Sequence, residues 1–171
     1  SVEDPSALGH LATGMQIIFR DGEVLLAGKD VTELIREEKI GTRASQLAIY
    51  PEVRDALLVL QQSFREQPGL VADGRDMASR IFTDAVLKVY LTATVQARAE
   101  RRYKQLIAKG ISARMDVLLQ DLQERDARDT NRGTAPLQRV EGAYLLDTSN
   151  LSVDQAVAQV VSWYAELHRQ L

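Results

Sequence analysis

The chain has 171 residues, 45% hydrophobic and 26% charged, which is enough to bury the core of one ordinary domain. A net charge of -3 and a pI near 5.5 exclude a protein built mainly to wrap a nucleic-acid backbone, so any anion site must be local. Absence of cysteine removes disulfides, thiolate metal sites and cysteine nucleophiles together and fits a cytoplasmic protein. The two histidines, His10 and His168, lack ligand-like spacing, so no metal site is expected from side chains alone. No apolar run reaches the length of a membrane span, and neither a membrane nor a nucleic-acid partner is expected.

In chain order, Asp4-Pro5 is a helix start, Asp as N-cap and Pro in the first turn, for a helix running toward Thr13. "MQIIFRDGEVLLAG" then puts two β-prone runs around Asp21-Gly22, which predicts an antiparallel ribbon over 15–27. Helical patterns follow in "TELIREEKI", "TRASQLAIY" and, past Pro51, "EVRDALLVLQQSFREQ", where Val53, Leu57, Leu60 and Phe64 share a face. "LVAD" (70–73), "LKVYLTA" (87–93) and "AYLLDT" (143–148) resemble buried parallel strands. Residues 94–109 and 113–128 are expected helices separated at Gly110. Ser152 and Gln155 form a capping-box signal for a last helix reaching Leu171. The order suggests an α/β core carrying an inserted module.

Arginine is the residue type that clusters. Arg125, Arg128 and Arg132 lie at i, i+3 and i+7, where like charges repel unless an anion relieves them. Asp121, Glu124 and Asp129 also stand at i,i+4 to arginines, so a solvated, self-paired helix face explains the same spacing. Arg75-Asp76 follows an expected strand, where open α/β sheets bind ligands, yet Gly74 equally allows a plain charged turn. Arg98, Arg101 and Arg102 sit among Glu100 and Lys104 and are more simply a solvated face. Gly9 and Gly14 have P-loop spacing, but Met15 and Gln16 occupy the Lys and Ser/Thr positions and a strand follows, so this is not a P-loop.

"GKDVTELIR", "ASQLAIYPEVRDALL", "GLVADGRDM" and "ERDARDTNR", in this order, resemble bacterial cytidylate kinase. The likeness runs from about residue 6 to the end, through "APL" at 135–137 and "LLDTSNLSVDQ". It implies transfer of the γ-phosphoryl group of ATP, with Mg²⁺, to CMP or dCMP. The implied fold is a P-loop kinase-like α/β parallel sheet with flanking helices and an inserted β-hairpin/helical module for the nucleoside monophosphate (NMP). On that basis residues 15–66 form the module, and 1–14 with 67–171 form the core, with a lid at about 112–133.

The resemblance puts Ser45 and Asp129 near the ribose, Arg54 and Asp76 at the cytosine, and Arg75, Arg125 and Arg132 on phosphate. Arg125 and Arg132 take the catalytic role, and Arg101 and Arg102 approach the ATP side. Against the family pattern, the first two strands and the P-loop between strand and helix do not precede Ser1 here. The expectation is therefore an incomplete kinase chain, weak or inactive alone, and a monomer unless another chain completes its sheet. The alternative is a nucleotide-binding or interaction module of the same fold without catalysis.

Overall fold

The structure, a computed structural model, describes residues 4–131, 133 and 137–169. By its internal contacts the chain divides after Asp73: residues 4–73 make one unit, and 74–131 with 137–169 make the other.

The first unit opens with α1 (Pro5–Thr13), where the Asp4 carboxylate accepts the Ala7 amide as the N-cap reading requires. A three-stranded antiparallel sheet follows, β1 (Ile17–Arg20), β2 (Glu23–Leu26) and β3 (Lys29–Asp30), in the order β1-β2-β3. At the first turn Asp21 and Gly22 have φ of 51° and 82°, the left-handed pair that matches strand twist. Ala27 and Gly28 repeat this at φ 49° and 78°, giving a second hairpin that the sequence pattern did not predict.

The helix expected from Thr32 is also displaced. Thr32 serves the sheet instead, its hydroxyl accepting the Val24 amide at 2.9 Å and donating to Asp30 at 2.6 Å. These Thr32 bonds to Asp30 hold the Asp30 carboxyl below its ordinary pKa. A single 3₁₀ turn covers Leu34–Arg36, and α2 (Glu38–Leu47) then runs across the boundary drawn between the two predicted segments. α3 (Pro51–Ser63) starts at Pro51 as expected, and Val53, Leu57 and Leu60 on it are half-buried. Phe64, just beyond it, meets the Phe19 ring edge-on at 5.1 Å. α1 packs on α3, and a side chain at Gly9 would come within 3.3 Å of the Glu52 carbonyl oxygen, a tight approach that a larger residue could take only if α3 gave way by a few tenths of an ångström.

The second unit contains a parallel pair, β4 (Val89–Thr92) and β5 (Tyr144–Asp147), with Val89 opposite Tyr144 and Thr92 opposite Asp147. α4 (Val95–Ala108) and α5 (Met115–Asn131) form the connection between them and pack on each other. Gly110, at φ +73°, is the stop between the helices. α6 (Val153–His168) starts at Ser152, whose hydroxyl accepts the Gln155 amide while the Gln155 side chain accepts the Ser152 amide, the full capping box. Trp163 on α6 lies 4.8 Å from the Tyr144 ring and seats that helix on β5. Ile81, Phe82, Ala99, Leu118, Ala143 and Leu146 are the buried apolar residues of this unit. The unit is thus mixed α/β, with a parallel sheet and flanking helices.

Two strand expectations need correction. Residues 70–73 are not a strand, and Val71 is fully exposed. An extended segment becomes a strand only when a neighbour takes its amides and carbonyls, and neither β4 nor β5 pairs with this one. β4 and β5 are also less buried than expected, with Leu91 at 62% and Leu145 at 50% exposure, because a two-stranded sheet keeps both edges open. Among the described residues, no helix is long and apolar enough to cross a membrane.

Candidate active site

With no strand before it, the Arg75-Asp76 pair enters a different element, one turn of π-helix over Met77–Ile81. The Asp76 carbonyl accepts the Arg80 amide at 2.9 Å and the Ile81 amide at 3.3 Å, and the Met77 carbonyl accepts Phe82 at 2.7 Å. π-turns are rare and concentrate at functional sites. Gly74 precedes the turn, and a Cβ there would meet the Met77 side chain at 2.8 Å, so the chain folds Met77 back over a position with no side chain.

The described buried residues with polar or charged side chains are Ser45, Asp76, Asp129 and Thr148. Three of these four are residues that the family resemblance places at the nucleotide. Burying a carboxylate costs free energy unless cations or hydrogen bonds compensate, so Asp76 and Asp129 are held inside for a reason. For Asp129 the compensation is visible. Its Oδ2 lies 3.1 Å from Arg75 Nε and 4.0 Å from Arg125 Nε, so two guanidinium groups from distant parts of the chain converge on one carboxylate. The Asp129 backbone carbonyl also accepts the Leu137 amide at 2.8 Å.

Arg75 meets Asp129 through Nε, one of the five N–H donors its guanidinium carries. Nε of Arg125 and of Arg128 is buried and makes no hydrogen bond among the described residues. Arg128 instead faces Glu124 at 3.9 Å, the helical pair expected from spacing. Arg125 and Arg128 thus each face an acid one turn away on α5, and the acid facing Arg125, Asp129, is the one that also meets Arg75.

Arg98 is half-buried and Arg101 exposed, and both have partners far away in sequence. Arg98 forms a forked pair with Asp126, Nη1 to Oδ1 at 2.9 Å and Nη2 to Oδ2, and its Nε donates to the Ala93 carbonyl at 3.2 Å. Arg101 donates to the Thr148 hydroxyl at 3.2 Å, to the Thr148 carbonyl and to the Leu151 carbonyl at 3.4 Å, which ties α4 to the segment after β5. Thr148 in turn donates to the Thr92 carbonyl at 3.1 Å, and Ser149 accepts the Thr94 amide at 2.9 Å. The Ser149 hydroxyl and amide hold the Asp147 carboxyl below its ordinary pKa. Arg102 lies half-buried on the same helix.

Ser45 and Arg54 belong to the first unit. Ser45 is buried on α2, and Arg54 on α3 donates from Nη1 to the Ala48 carbonyl at 3.2 Å. Arg132, with Ala135 and Pro136 of the "APL" stretch, lies outside the described residues. No group of three or more His, Asp or Glu side chains that could hold a metal occurs among the described residues. Sequence reasoning missed the partners of Arg98 and Arg101, which lie 28 and 47 residues away, beyond any local spacing signal.

A family model described as cytidylate kinase matches residues 1–166. The cytidylate kinase of Polynucleobacter asymbioticus is 63% identical over 163 residues, covering 95% of this chain and 74% of the relative. That of Paraburkholderia phymatum is 59% identical over 167 residues, covering 98% and 73%. That of Burkholderia pseudomallei is 57% identical over 165 residues, covering 96% and 72%.

Proposed function

The chain belongs to the cytidylate kinase family, and from that premise we propose that its buried acid-arginine set binds the phosphate and base of CMP or dCMP for phosphorylation by MgATP. The observation that carries this reading is the convergence of Arg75 and Arg125 on the buried Asp129 carboxylate, with the buried Asp76 next to Arg75 in the chain.

In the reaction a CMP phosphate oxygen attacks the γ-phosphorus of ATP. The bond from that phosphorus to the β,γ-bridging oxygen breaks, and ADP leaves with that oxygen. Such transfer asks little covalent chemistry of the protein, and cationic groups that hold the two nucleotides in line supply most of the rate. Arg75, oriented by Asp129 through Nε, offers its terminal nitrogens to the acceptor phosphate as a fork. Arg125, and Arg132 seven positions after it in sequence, are assigned to the charge on the transferring group. The Asp76 carboxylate is assigned to the cytosine 4-amino group, a donor that uracil replaces with an acceptor. Ser45 and Arg54 of residues 4–73 join the proposal through the family resemblance alone, for ribose and base, as do Arg101 and Arg102 for the ATP side. Arg101 has its carbonyl and hydroxyl partners to leave before it meets ATP, so its assignment is the least supported. The finer fold proposal is the P-loop kinase topology with residues 15–66 as the NMP module.

Thermal melting tests the acceptor site. CMP at ~100 times its Kd is expected to add about 2.7 kcal/mol and raise Tm, whereas cytidine, lacking the phosphate, gives a smaller shift at equal concentration. A flat response to millimolar CMP would overturn the site.

A further inference from the structure

Arg125 and Asp129 of the acid-arginine set sit on α5, and their geometry depends on how that helix is held. Arg125 and Asp129 flank Asp126, one residue before it and three residues after it, the latter a neighbour on the helix surface. Asp126 is gripped from α4 by Arg98, both oxygens meeting the two terminal nitrogens of the guanidinium. The third donor of Arg98, Nε, is spent on the Ala93 carbonyl just past β4. One side chain thus links the end of a strand, the first turns of α4 and the middle of α5, with each of its three nitrogens engaged by the protein. Both partners are about 30% exposed at the side chain, 28% for Arg98 and 32% for Asp126, so solvent screening is partial. A forked pair fixes rotation as well as distance, unlike a point-charge contact.

We infer that Arg98 and Asp126 are positioning residues that set the rotation of α5, and with it the approach of Arg125 and Asp129 to Arg75. The inference rests on the proposed role of Arg125 in CMP binding. Neither Arg98 nor Asp126 contacts substrate. Their effect passes through Arg125 and Asp129, and it is lost when the fork is lost even if a single hydrogen bond remains.

The test is a titration of CMP into the parent protein and four variants, Asp126→Asn, Asp126→Glu, Arg125→Ala and the Asp126→Asn/Arg125→Ala double variant, with Tm recorded for each. Asp126→Asn keeps the shape and removes the charge and one acceptor. It is expected to raise the CMP Kd about tenfold, within the range of losses from a small misplacement of binding groups. In the Arg125→Ala background the same change is expected to cost less than twofold, because the group it positions is already gone. Asp126→Glu, which restores the carboxylate, is expected to recover part of the loss. An unchanged Kd for Asp126→Asn overturns the positioning role and leaves the CMP site standing. A full tenfold loss repeated in the Arg125→Ala background also overturns it, since the effect then does not pass through Arg125. If the parent fails to bind CMP, or Arg125→Ala binds as the parent does, the underlying reading fails and this one with it. Should Asp126→Asn not fold, Arg98→Lys, which keeps the charge and abolishes the fork, carries the same expected loss and the same contradicting results.

Discussion

Arg125→Ala is expected to lower the rate of phosphoryl transfer from MgATP to CMP by roughly 10³-fold, the lower end of what a charge-stabilising arginine contributes in this chemistry. Arg125 is half-buried, and its Nε has no hydrogen bond among the described residues, so its removal leaves no partner orphaned beyond the 4.0 Å contact with Asp129. The loss should therefore fall on kcat more than on Tm. Arg125→Lys restores the charge without the planar fork and should recover a minor part of the rate. Steady-state kinetics with both nucleotides saturating, together with a melting curve, checks this. A kcat within threefold of the parent would remove Arg125 from the catalytic set and favour the solvated-helix explanation of the α5 arginines.

Asp76→Asn is expected to collapse base selectivity. An aspartate can only accept at the cytosine 4-amino group, whereas an asparagine can turn its amide and donate to the O4 of uracil. The two sites thus differ by a buried group that is paired with one base and repelled by the other, a device that commonly discriminates by far more than one lost contact. The ratio of kcat/KM for CMP to that for UMP should fall about 10²-fold, through loss on CMP and gain on UMP. The fold should tolerate the change, because the π-turn amides of Arg80 and Ile81 bond to the Asp76 backbone carbonyl, which asparagine keeps. Competition titrations of CMP against UMP give the same ratio without catalysis, and an unaltered ratio would place the base elsewhere.

The parts of this structure that were legible in sequence are those whose cause is local. The Asp21-Gly22 turn, the Asp4 cap and the Ser152-Gln155 box each depend on residues within a few positions, and each formed as expected. The second hairpin at Ala27-Gly28 was just as local, but alanine at a positive φ gives no warning. The 70–73 strand failed for the opposite reason, since its apolar residues fit a strand while its state depends on a neighbour.

The site shows the same division. The Glu124-Arg128 and Arg125-Asp129 pairs follow from helical spacing, whereas spacing says nothing of Arg75 reaching Asp129 across the unit. Arg98 finds Asp126 28 residues away and Arg101 finds Thr148 47 residues away, partners that their charged neighbours in sequence do not indicate. Residue roles at the nucleotide came from the motifs "GLVADGRDM" and "ERDARDTNR" and the family they resemble. The structure adds that Asp76 and Asp129 of those motifs are buried.

The central claim is that this family member phosphorylates a cytidine monophosphate using an acid-arginine set of its own. It is tested most directly by incubating the whole gene product with MgATP and either CMP or UMP and separating the nucleotides formed. Equimolar ADP and CDP from CMP, with UMP converted far more slowly, is the predicted result. CMP bound without consumption of ATP beyond background hydrolysis, or CMP and UMP converted at equal rates, would contradict it.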